Sequence, residues 1–309
     1  MFSFTFKSKH QTVAGLTVSD EGIAVACLQP QSESPLLQAC AFYPTPATQR
    51  HHTLAEAIKT HHLTDIPTNL VLLPDDYQIL QIDTPEVPKQ ELAAALQWQI
   101  KDMIDFPVED AVIDHIFLPD HLTSGKKQLL VIVSRKIIIQ RHVETLTRLH
   151  CRLNVIDIAI QAARNLIYPL LDNTTSVGLL NLWDDLAKIS VISNQDVFIN
   201  RMSSIGINAL RTIDDTPDSQ AIIDSLAVEL QRTFDYFERH SRQAAISLLY
   251  IISNHPPVPH LADLLQQRLG LECIELDIAH VVRFSDNLID QPIDPRCLMA
   301  IGGAMRGLD

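Results

Sequence analysis

Two stretches of this sequence, one near the N-terminus and one past the middle, have the same layout. In AGLTVSDEGIAVACL and in GLLNLWDDLAKISVI, an apolar strand leads through a short polar turn into a second apolar strand. Aligned without gaps, Thr17 stands opposite Asn181 and Ser19 stands opposite Trp183. A repeated β-β-β-helix unit predicts a two-lobed α/β protein with a cleft between similar halves. Two unrelated hairpins can also share this layout by chance.

The second copy is followed by the longest helix that the sequence predicts, residues 219–241. Apolar residues recur there at steps of three and four, which is typical of one buried helix face: Ile222, Leu226, Leu230, Phe234 and Phe237. A second helix is predicted at Leu261–Leu269, and Gly270 is expected to end it in the left-handed conformation.

The segment of residues 70–114 predicts a strand, a helix and a returning strand. The turn-prone Pro74, Asp75 and Asp76 separate two short apolar runs. The spacing of the following apolar residues predicts one helix face made by Leu92, Leu96, Ile100 and Met103. Trp98 lies off that face, and the returning strand is expected to carry Val112, Ile116 and Leu118.

Charge and composition exclude several functional classes. The chain has 24 basic and 37 acidic residues, and a net charge of −13 repels nucleic acid. Its five cysteines form no C-x-x-C pair, which favours free thiols in a reducing cytoplasm. No apolar run reaches the length of a membrane span, so we expect a cytoplasmic protein, held at a membrane only through a partner.

The first residues alternate between phenylalanine and small polar residues. Phe2, Phe4 and Phe6 precede Lys7 and Lys9. Such a segment either touches a membrane surface or a partner, or is a mobile tail or short edge strand.

Residue choices in the 70–114 segment resemble the PilM family, the cytoplasmic actin-like proteins of type IV pilus assembly. The long helix, ELQRTFDYFERHS, and the ending, LMAIGGAMRGLD, are also similar to that family. The chain resembles in particular its MshI-type members, from mannose-sensitive haemagglutinin (MSHA) pili. The matching residues in the segment are Pro85, Glu91, Leu92, Trp98, Ile104, Phe106, Pro107, Glu109 and Asp114.

The resemblance implies an actin-like (ASKHA) fold with duplicated ribonuclease H-like lobes and an inserted subdomain. On that pattern, residues 1–12 are an N-terminal tail and residues 13–69 together with 135–175 form lobe 1A. Residues 70–134 form the inserted subdomain 1C. Residues 176–309 form lobe 2, with parts 2A and 2B.

The resemblance also shows where a nucleotide would bind. Actin-like ATPases hold phosphate with two hairpin turns that open with Asp, one residue and Gly, because a Cβ would push the backbone away from phosphate. This chain has Thr17 and Ser19 in the first turn, and Asn181 and Trp183 in the second.

A third element of that nucleotide site, a glycine pair, is replaced by Asn254 and His255. The acidic residues in the two turns add repulsion to a triphosphate: Asp20, Glu21, Asp184 and Asp185. The sequence therefore predicts a degenerate cleft with no catalytic residues, no ATP hydrolysis and no cofactor, with bound ATP and magnesium disfavoured.

The resemblance implies a scaffold that binds the cytoplasmic tail of a PilN/MshJ-like inner-membrane protein in an extended form. A pilus assembly ATPase is a further partner that it allows. The candidate groove wall comprises Leu80, Ile82, Leu92, Leu96 and Trp98. Buried core leucines would give the same pattern.

Three alternatives stay open at this stage: an ATP-binding actin-like ATPase, the L-type cytoplasmic component of a type II secretion system, and a filament-forming protein. No metal site is predicted, because the pairs His51-His52 and His61-His62 read as surface residues. Hydrolase, metalloprotease and Walker-type motifs are absent from the sequence.

Overall fold

The structure is a computed structural model that describes residues 11–118, 127–171, 176–193, 196–211, 217–241 and 245–307, with residues 217–219 described by their backbone only. The predicted N-terminal segment with Phe2, Phe4 and Phe6 lies outside the described residues.

The first sheet has six strands, in the order β14-β3-β2-β1-β4-β8. The first three strands along the chain are antiparallel, whereas β4, β8 and β14 are added in parallel. The strands are β1 (Val13–Val18), β2 (Gly22–Gln29), β3 (Leu36–Pro44), β4 (Thr68–Leu72), β8 (Leu153–Ile158) and β14 (Arg283–Phe284).

The second sheet has five strands, in the order β11-β10-β9-β12-β13. Its first three strands are antiparallel and its last two are parallel, as in the first sheet without β14. The strands are β9 (Ser176–Leu182), β10 (Ala187–Ser193), β11 (Asp196–Ser203), β12 (Leu248–Ser253) and β13 (Glu272–Glu275).

The pairing of the two hairpins confirms the ungapped alignment of the repeat. Thr17 faces Ala24 across β1 and β2, and Asn181 faces Lys188 across β9 and β10. These four residues occupy equivalent positions in the alignment. Because a shift of one residue would turn every side chain to the other face, the match in register shows that the duplication is structural.

Eight helices complete the described chain. The face of α6 is nearly as predicted, except that Ile223 is fully buried and Ile222 only half-buried. Gly270 ends α7 with φ +69°, as predicted. The helices are α1 (Arg50–Thr60), α2 (Leu92–Ile100), α3 (Lys136–Arg148), α4 (Ala159–Ile167), α5 (Ile207–Leu210), α6 (Pro217–Ser241), α7 (Leu261–Leu269) and α8 (Leu298–Ala304). None of the helices in the described part of the chain is both long and apolar enough to cross a membrane.

A third, three-stranded antiparallel sheet lies in the predicted inserted segment. Its order is β5 (Gln78–Asp83), β7 (Gln128–Arg135) and β6 (Ala111–Phe117). Helix α2 covers one face and shares a small core with β7. The predicted helix face was too long, because α2 ends at Ile100 and Met103 is exposed beyond it.

The C-terminal segment corrects the assignment of residues 176–309 to lobe 2. Strand β14 pairs with β3 of the first sheet, and α8 packs on β1. Small residues allow this close approach: a Cβ on Gly15 would lie 1.8 Å from the Ala300 carbonyl oxygen. The Asn69 and Asn165 amides donate to the Gly303 and Gly302 carbonyls, both at 2.9 Å. The end of the chain therefore belongs to the first lobe.

Candidate functional site

The two hairpin turns face a common cleft and have the same backbone hydrogen bond. The Ser19 N–H donates to the Gly22 carbonyl at 2.8 Å, and the Trp183 N–H donates to the Leu186 carbonyl at 2.9 Å. These pairs are equivalent in the repeat. The turns have thus kept one geometry, although the residues expected to hold phosphate differ.

Thr17 and Asn181 occupy equivalent buried positions in the two hairpins and supply no carboxylate. The Asn181 amide donates to Met299 Sδ at 3.8 Å, which links the second hairpin to the start of α8. Its Oδ1 is buried and has no hydrogen-bond partner among the described residues. The cleft therefore contains a neutral, unpaired amide oxygen at the position where actin-like ATPases have an aspartate carboxylate.

The second turn is covered by α5. The Ile207 N–H donates to the Trp183 carbonyl at 2.8 Å, and the Asn208 N–H donates to the Asp184 carbonyl at 2.9 Å. A Cβ on Gly206 would lie 2.4 Å from that Asp184 oxygen. The Trp183 side chain is buried in the main core, and its Nε1–H has no partner among the described residues. The first N–H groups of α5 are thus satisfied by the turn itself.

His255 contacts acidic residues from both turns. Its Nε2 lies 2.7 Å from Asp184 Oδ1 and 3.4 Å from Glu21 Oε1. The adjacent Asn254 N–H donates to the Leu182 carbonyl at 3.2 Å, which places the third element against the second hairpin. The sequence analysis treated Glu21 and Asp184 only as repulsive charges and missed their contact with this imidazole.

Arg296 links the C-terminal segment to the first turn. Its guanidinium binds both carboxylate oxygens of Asp294, at 2.9 and 2.7 Å, and lies 3.9 Å from Glu21 Oε2. It also stacks 3.7 Å from the centre of the Phe42 ring. Hydrogen bonds from Arg296 lower the pKa of Asp294.

Lys188 is a further cleft residue that the sequence analysis missed. It is half-buried on β10 and pairs with Asn181, at the position that corresponds to Ala24 in the first lobe. Burial lowers the pKa of its ammonium group, and Asp75 partly opposes this shift. The second lobe therefore has a lysine where the first lobe has Ala24, and the alignment of the repeat already contained this difference.

An apolar cavity of about 370 Å³ lies beside His255. Residues from both lobes line it, including Ile251 of β12 and Phe284 of β14. Its lining also includes Glu275 and Asp277 and, among the described residues, no lysine or arginine. Burial raises the pKa of Glu275. This chemistry fits an apolar group better than a phosphate.

The predicted groove wall is wrong for three of its five residues. Ile82, Leu92 and Leu96 are buried in the core between α2 and the three-stranded sheet, so they are not available to a peptide. Leu80 packs half-buried on the same core. Trp98 is 82% exposed and lies on the opposite side of α2. The helix spacing showed a common face, but the chain covers that face with its own strands.

Another surface of this region exposes apolar residues. Val112 on β6 is 39% exposed, and Ile137 and Val143 on α3 are 58% and 36% exposed. Val112 pairs with Ser134, two residues before α3 begins. In the described residues, β6 is an edge strand without a neighbour on its outer side. We call these three side chains and the outer edge of β6 the β6–α3 surface.

The four paired histidines form no ligand cluster. His61 Nε2 lies 2.8 Å from the Tyr43 hydroxyl, and His52 is paired on the surface with Glu56. Within the described part of the chain, the only group of three ligand-type side chains with atoms inside 4.8 Å is Glu21, Asp184 and His255.

Comparison with known proteins places this geometry in a structural class. No protein-family model matches the chain, and no curated protein matches it significantly in sequence. A solved structure of the PilM-PilN type IV pilus biogenesis complex contains a similar chain, with a TM-score of 0.71 and 20% identity over 96% of this chain and 98% of the other.

Two more distant structures extend the comparison. The cytoplasmic domain of EpsL, an inner-membrane component of the type II secretion system of Vibrio cholerae, gives a TM-score of 0.50 at 12% identity, covering 84% of this chain and 94% of that one. A Bacteroides thetaiotaomicron protein of unknown function gives 0.53 at 9% identity, with 94% and 95% covered. With their duplicated sheets and mixed strand pairing, these likenesses confirm the predicted fold: the chain has the two-lobed actin-like ATPase fold.

Proposed function

We propose that this chain is an assembly scaffold at the inner-membrane platform of a type IV pilus, with a role like that of PilM. The observation that carries the proposal is its similarity to the PilM-PilN complex over 96% of its length. The finer assignment, an MshI-type component of an MSHA pilus, rests on the residues that resemble that group. In this role the chain is cytoplasmic and peripheral to the inner membrane.

The proposed ligand is the cytoplasmic tail of a PilN/MshJ-like membrane protein, and the proposed docking site is the β6–α3 surface. An extended peptide can pair its main chain with the outer edge of β6. Its apolar side chains would then cover Val112, Ile137 and Val143, which are exposed to solvent in this chain. A pilus assembly ATPase is a further proposed partner.

We further propose that the cleft does not hydrolyse ATP and that the scaffold role needs no nucleotide cofactor. Neither Thr17 nor Asn181 can orient magnesium as a carboxylate does. Glu21 and Asp184 place negative charge at the turns, and His255 lies between them. Lys188 favours an anion, as does the Arg296 guanidinium, but Arg296 is already paired with Asp294.

Peptide binding tests the scaffold role. Fluorescence anisotropy with a labelled PilN-like tail should show saturable binding, weakened at least tenfold by Ile137→Asp or Val112→Asp, because a buried carboxylate without a partner is costly. Met202→Asp is the matched control, since Met202 is an apolar residue that is 68% exposed on β11 of the other lobe. Failure of the tail to bind, or equal binding by all variants, would refute this site. Calorimetry with Mg-ATP should give no binding heat.

The similarity to EpsL favours a second candidate, the L-type component of a type II secretion platform. The same anisotropy experiment separates the two. A tail from a secretion-system partner that binds at least tenfold tighter than the pilus tail would favour the secretion role.

A further inference from the structure

Three side chains from distant parts of the sequence converge at the mouth of the cleft. Glu21 belongs to the first hairpin turn, Asp184 to the second, and His255 to the loop that follows β12. One ligand atom from each lies within 4.8 Å of the other two. The three residues therefore form a single group that joins the two lobes.

The imidazole nitrogen in this group is buried without a proper hydrogen bond. Only 13% of the His255 side chain is exposed, and Nε2 itself is inaccessible to solvent. Asp184 Oδ1 is 2.7 Å from Nε2, but the two atoms do not form a hydrogen bond, because this oxygen lies off the line along which Nε2 donates or accepts. A buried nitrogen in this state needs a partner that it does not find in the described chain.

Two hydrogen bonds in the loop hold the backbone of His255. Ser253 Oγ accepts a hydrogen bond from the His255 N–H at 3.2 Å and donates one to the His255 carbonyl at 2.8 Å. The Arg296 guanidinium lies 3.9 Å from Glu21 Oε2, on the other side of the carboxylate from Oε1, which lies 3.4 Å from the imidazole. Ligand side chains that are held by neighbouring groups are typical of built metal sites.

The chemistry of the group fits a divalent transition metal. One imidazole nitrogen and two carboxylate oxygens are ligands for Zn²⁺, Co²⁺ or Mn²⁺. Tetrahedral bonds of about 2.1 Å place neighbouring ligand atoms roughly 3.4 Å apart. The distance from Nε2 to Glu21 Oε1 is already 3.4 Å, and the distance to Asp184 Oδ1 needs to open by less than an ångström.

We propose that Glu21, Asp184 and His255 bind one divalent transition-metal ion that links the two hairpin turns across the cleft. The ion binds without nucleotide, and water completes its coordination. This site shares no residue with the β6–α3 surface, so the test of metal binding is independent of the test of the proposed scaffold role.

Titration of the chelator-treated full chain with Zn²⁺ and with Co²⁺ tests the site. Calorimetry should show one saturable site per chain without nucleotide. His255→Ala should abolish it, and Asp184→Asn or Glu21→Gln should weaken it at least tenfold. His52→Ala is the matched control, because His52 also contacts a carboxylate, Glu56 at 3.4 Å, but only one.

The visible absorption spectrum of the Co²⁺ form gives a second measurement of metal binding that is independent of calorimetry. Bands of a cobalt ion with nitrogen and oxygen ligands should appear with one equivalent and disappear in Asp184→Asn, which keeps the size of the side chain. If neither ion binds saturably, or if His255→Ala binds as the unaltered chain does, the group is only an ion pair of a protonated imidazole and the proposal is wrong.

Discussion

The two lobes share strand order and hairpin register but differ in what covers the hairpin. In the first lobe, the backbone of α8 lies directly on β1, and a Cβ on Gly15 would be 1.8 Å from the Ala300 oxygen. In the second lobe the tightest contact lies on the opposite face of the hairpin. Gly178 aligns with Ala14, which points away from the Gly15 face, and a Cβ on Gly178 would be 2.5 Å from the Phe234 ring. The two hairpins therefore share one register, but their tightest contacts differ in kind: helix backbone at Gly15 and an aromatic ring at Gly178.

The shared strand pairing explains why the two turns have the same shape although their side chains differ. The turn geometry depends on strand pairing and on backbone hydrogen bonds, which are the same in both hairpins. It does not depend on the side chains of Ser19 or Trp183. A shape maintained by backbone pairing leaves the side chains free to take another role.

The largest effect is expected where the first hairpin meets the backbone. Gly15→Ala should destabilise the protein by about 4 kcal/mol or more, because a carbonyl group of a buried helix cannot move away without shifting α8. Gly178→Ala should cost only about 1–3 kcal/mol, since the Phe234 ring can rotate or shift.

Urea unfolding of both variants measures this contrast. Equal losses of unfolding free energy would show that the backbone contact at Gly15 yields as easily as the ring contact at Gly178. The double variant Gly178→Ala, Phe234→Leu should lose less unfolding free energy than the sum of the two single variants, because the smaller side chain makes room for the added methyl group.

A buried ion pair in the first lobe is expected to give the next largest effect. Asp157, at the end of β8, is buried and lies 2.6 Å from the Arg306 guanidinium. Arg306→Met should cost about 3–5 kcal/mol at pH 7, because the carboxylate stays buried without its partner. In the second lobe, Glu275 ends β13, the strand at the matching place in the sheet, and is only half-buried. Glu275→Gln should change stability by less than about 0.5 kcal/mol.

The pH dependence of Arg306→Met gives a sharper test. Burial raises the pKa of Asp157, although Arg306 opposes the shift. A folded-state pKa above the unfolded value means that the folded protein binds the proton more tightly, so stability rises as the pH falls toward the unfolded pKa. Without the arginine the pKa of Asp157 rises further, so more of the carboxylate is protonated at pH 5 than at pH 7. The unfolding free energy that Arg306→Met loses should therefore be smaller at pH 5. A loss that is the same at both pH values would contradict a charged Asp157.

The repeat, the long helix and α7 could be predicted because their signals are local. Hydrophobic spacing predicted the buried face of α6, and a single glycine, Gly270, predicted the end of α7. The packing of α8 could not be predicted in the same way. A run such as LMAIGGA indicates a helix buried on every side, but it does not say which sheet covers it.

The candidate site was predicted only in part. The degenerate positions Thr17, Asn181 and His255 do lie around the two turns. Their new contacts, however, join residues that are far apart in the sequence, and periodicity carries no information about such pairs. The groove wall failed for a similar reason, since β7 supplies the cover for Leu92 and Leu96 from more than thirty residues away.

The smallest effect is expected at Lys188, the cation that the second lobe has where the first has Ala24. Burial lowers its pKa, so the folded state disfavours the ammonium ion, and the penalty is fully present at pH 7. Lys188→Met keeps the aliphatic contacts and should stabilise the protein by up to about 1 kcal/mol in urea unfolding.

This gain should fade as the pH rises from the lowered folded-state pKa to the unfolded-state pKa of lysine, because the unaltered chain then folds with a neutral Lys188 and loses its penalty. Lys136→Met, at an exposed position on α3, should show neither the gain nor its pH dependence. A clear loss of stability in Lys188→Met would instead mean that the ammonium ion has a stabilising partner in the cleft, and that the two lobes differ in charge as well as in packing.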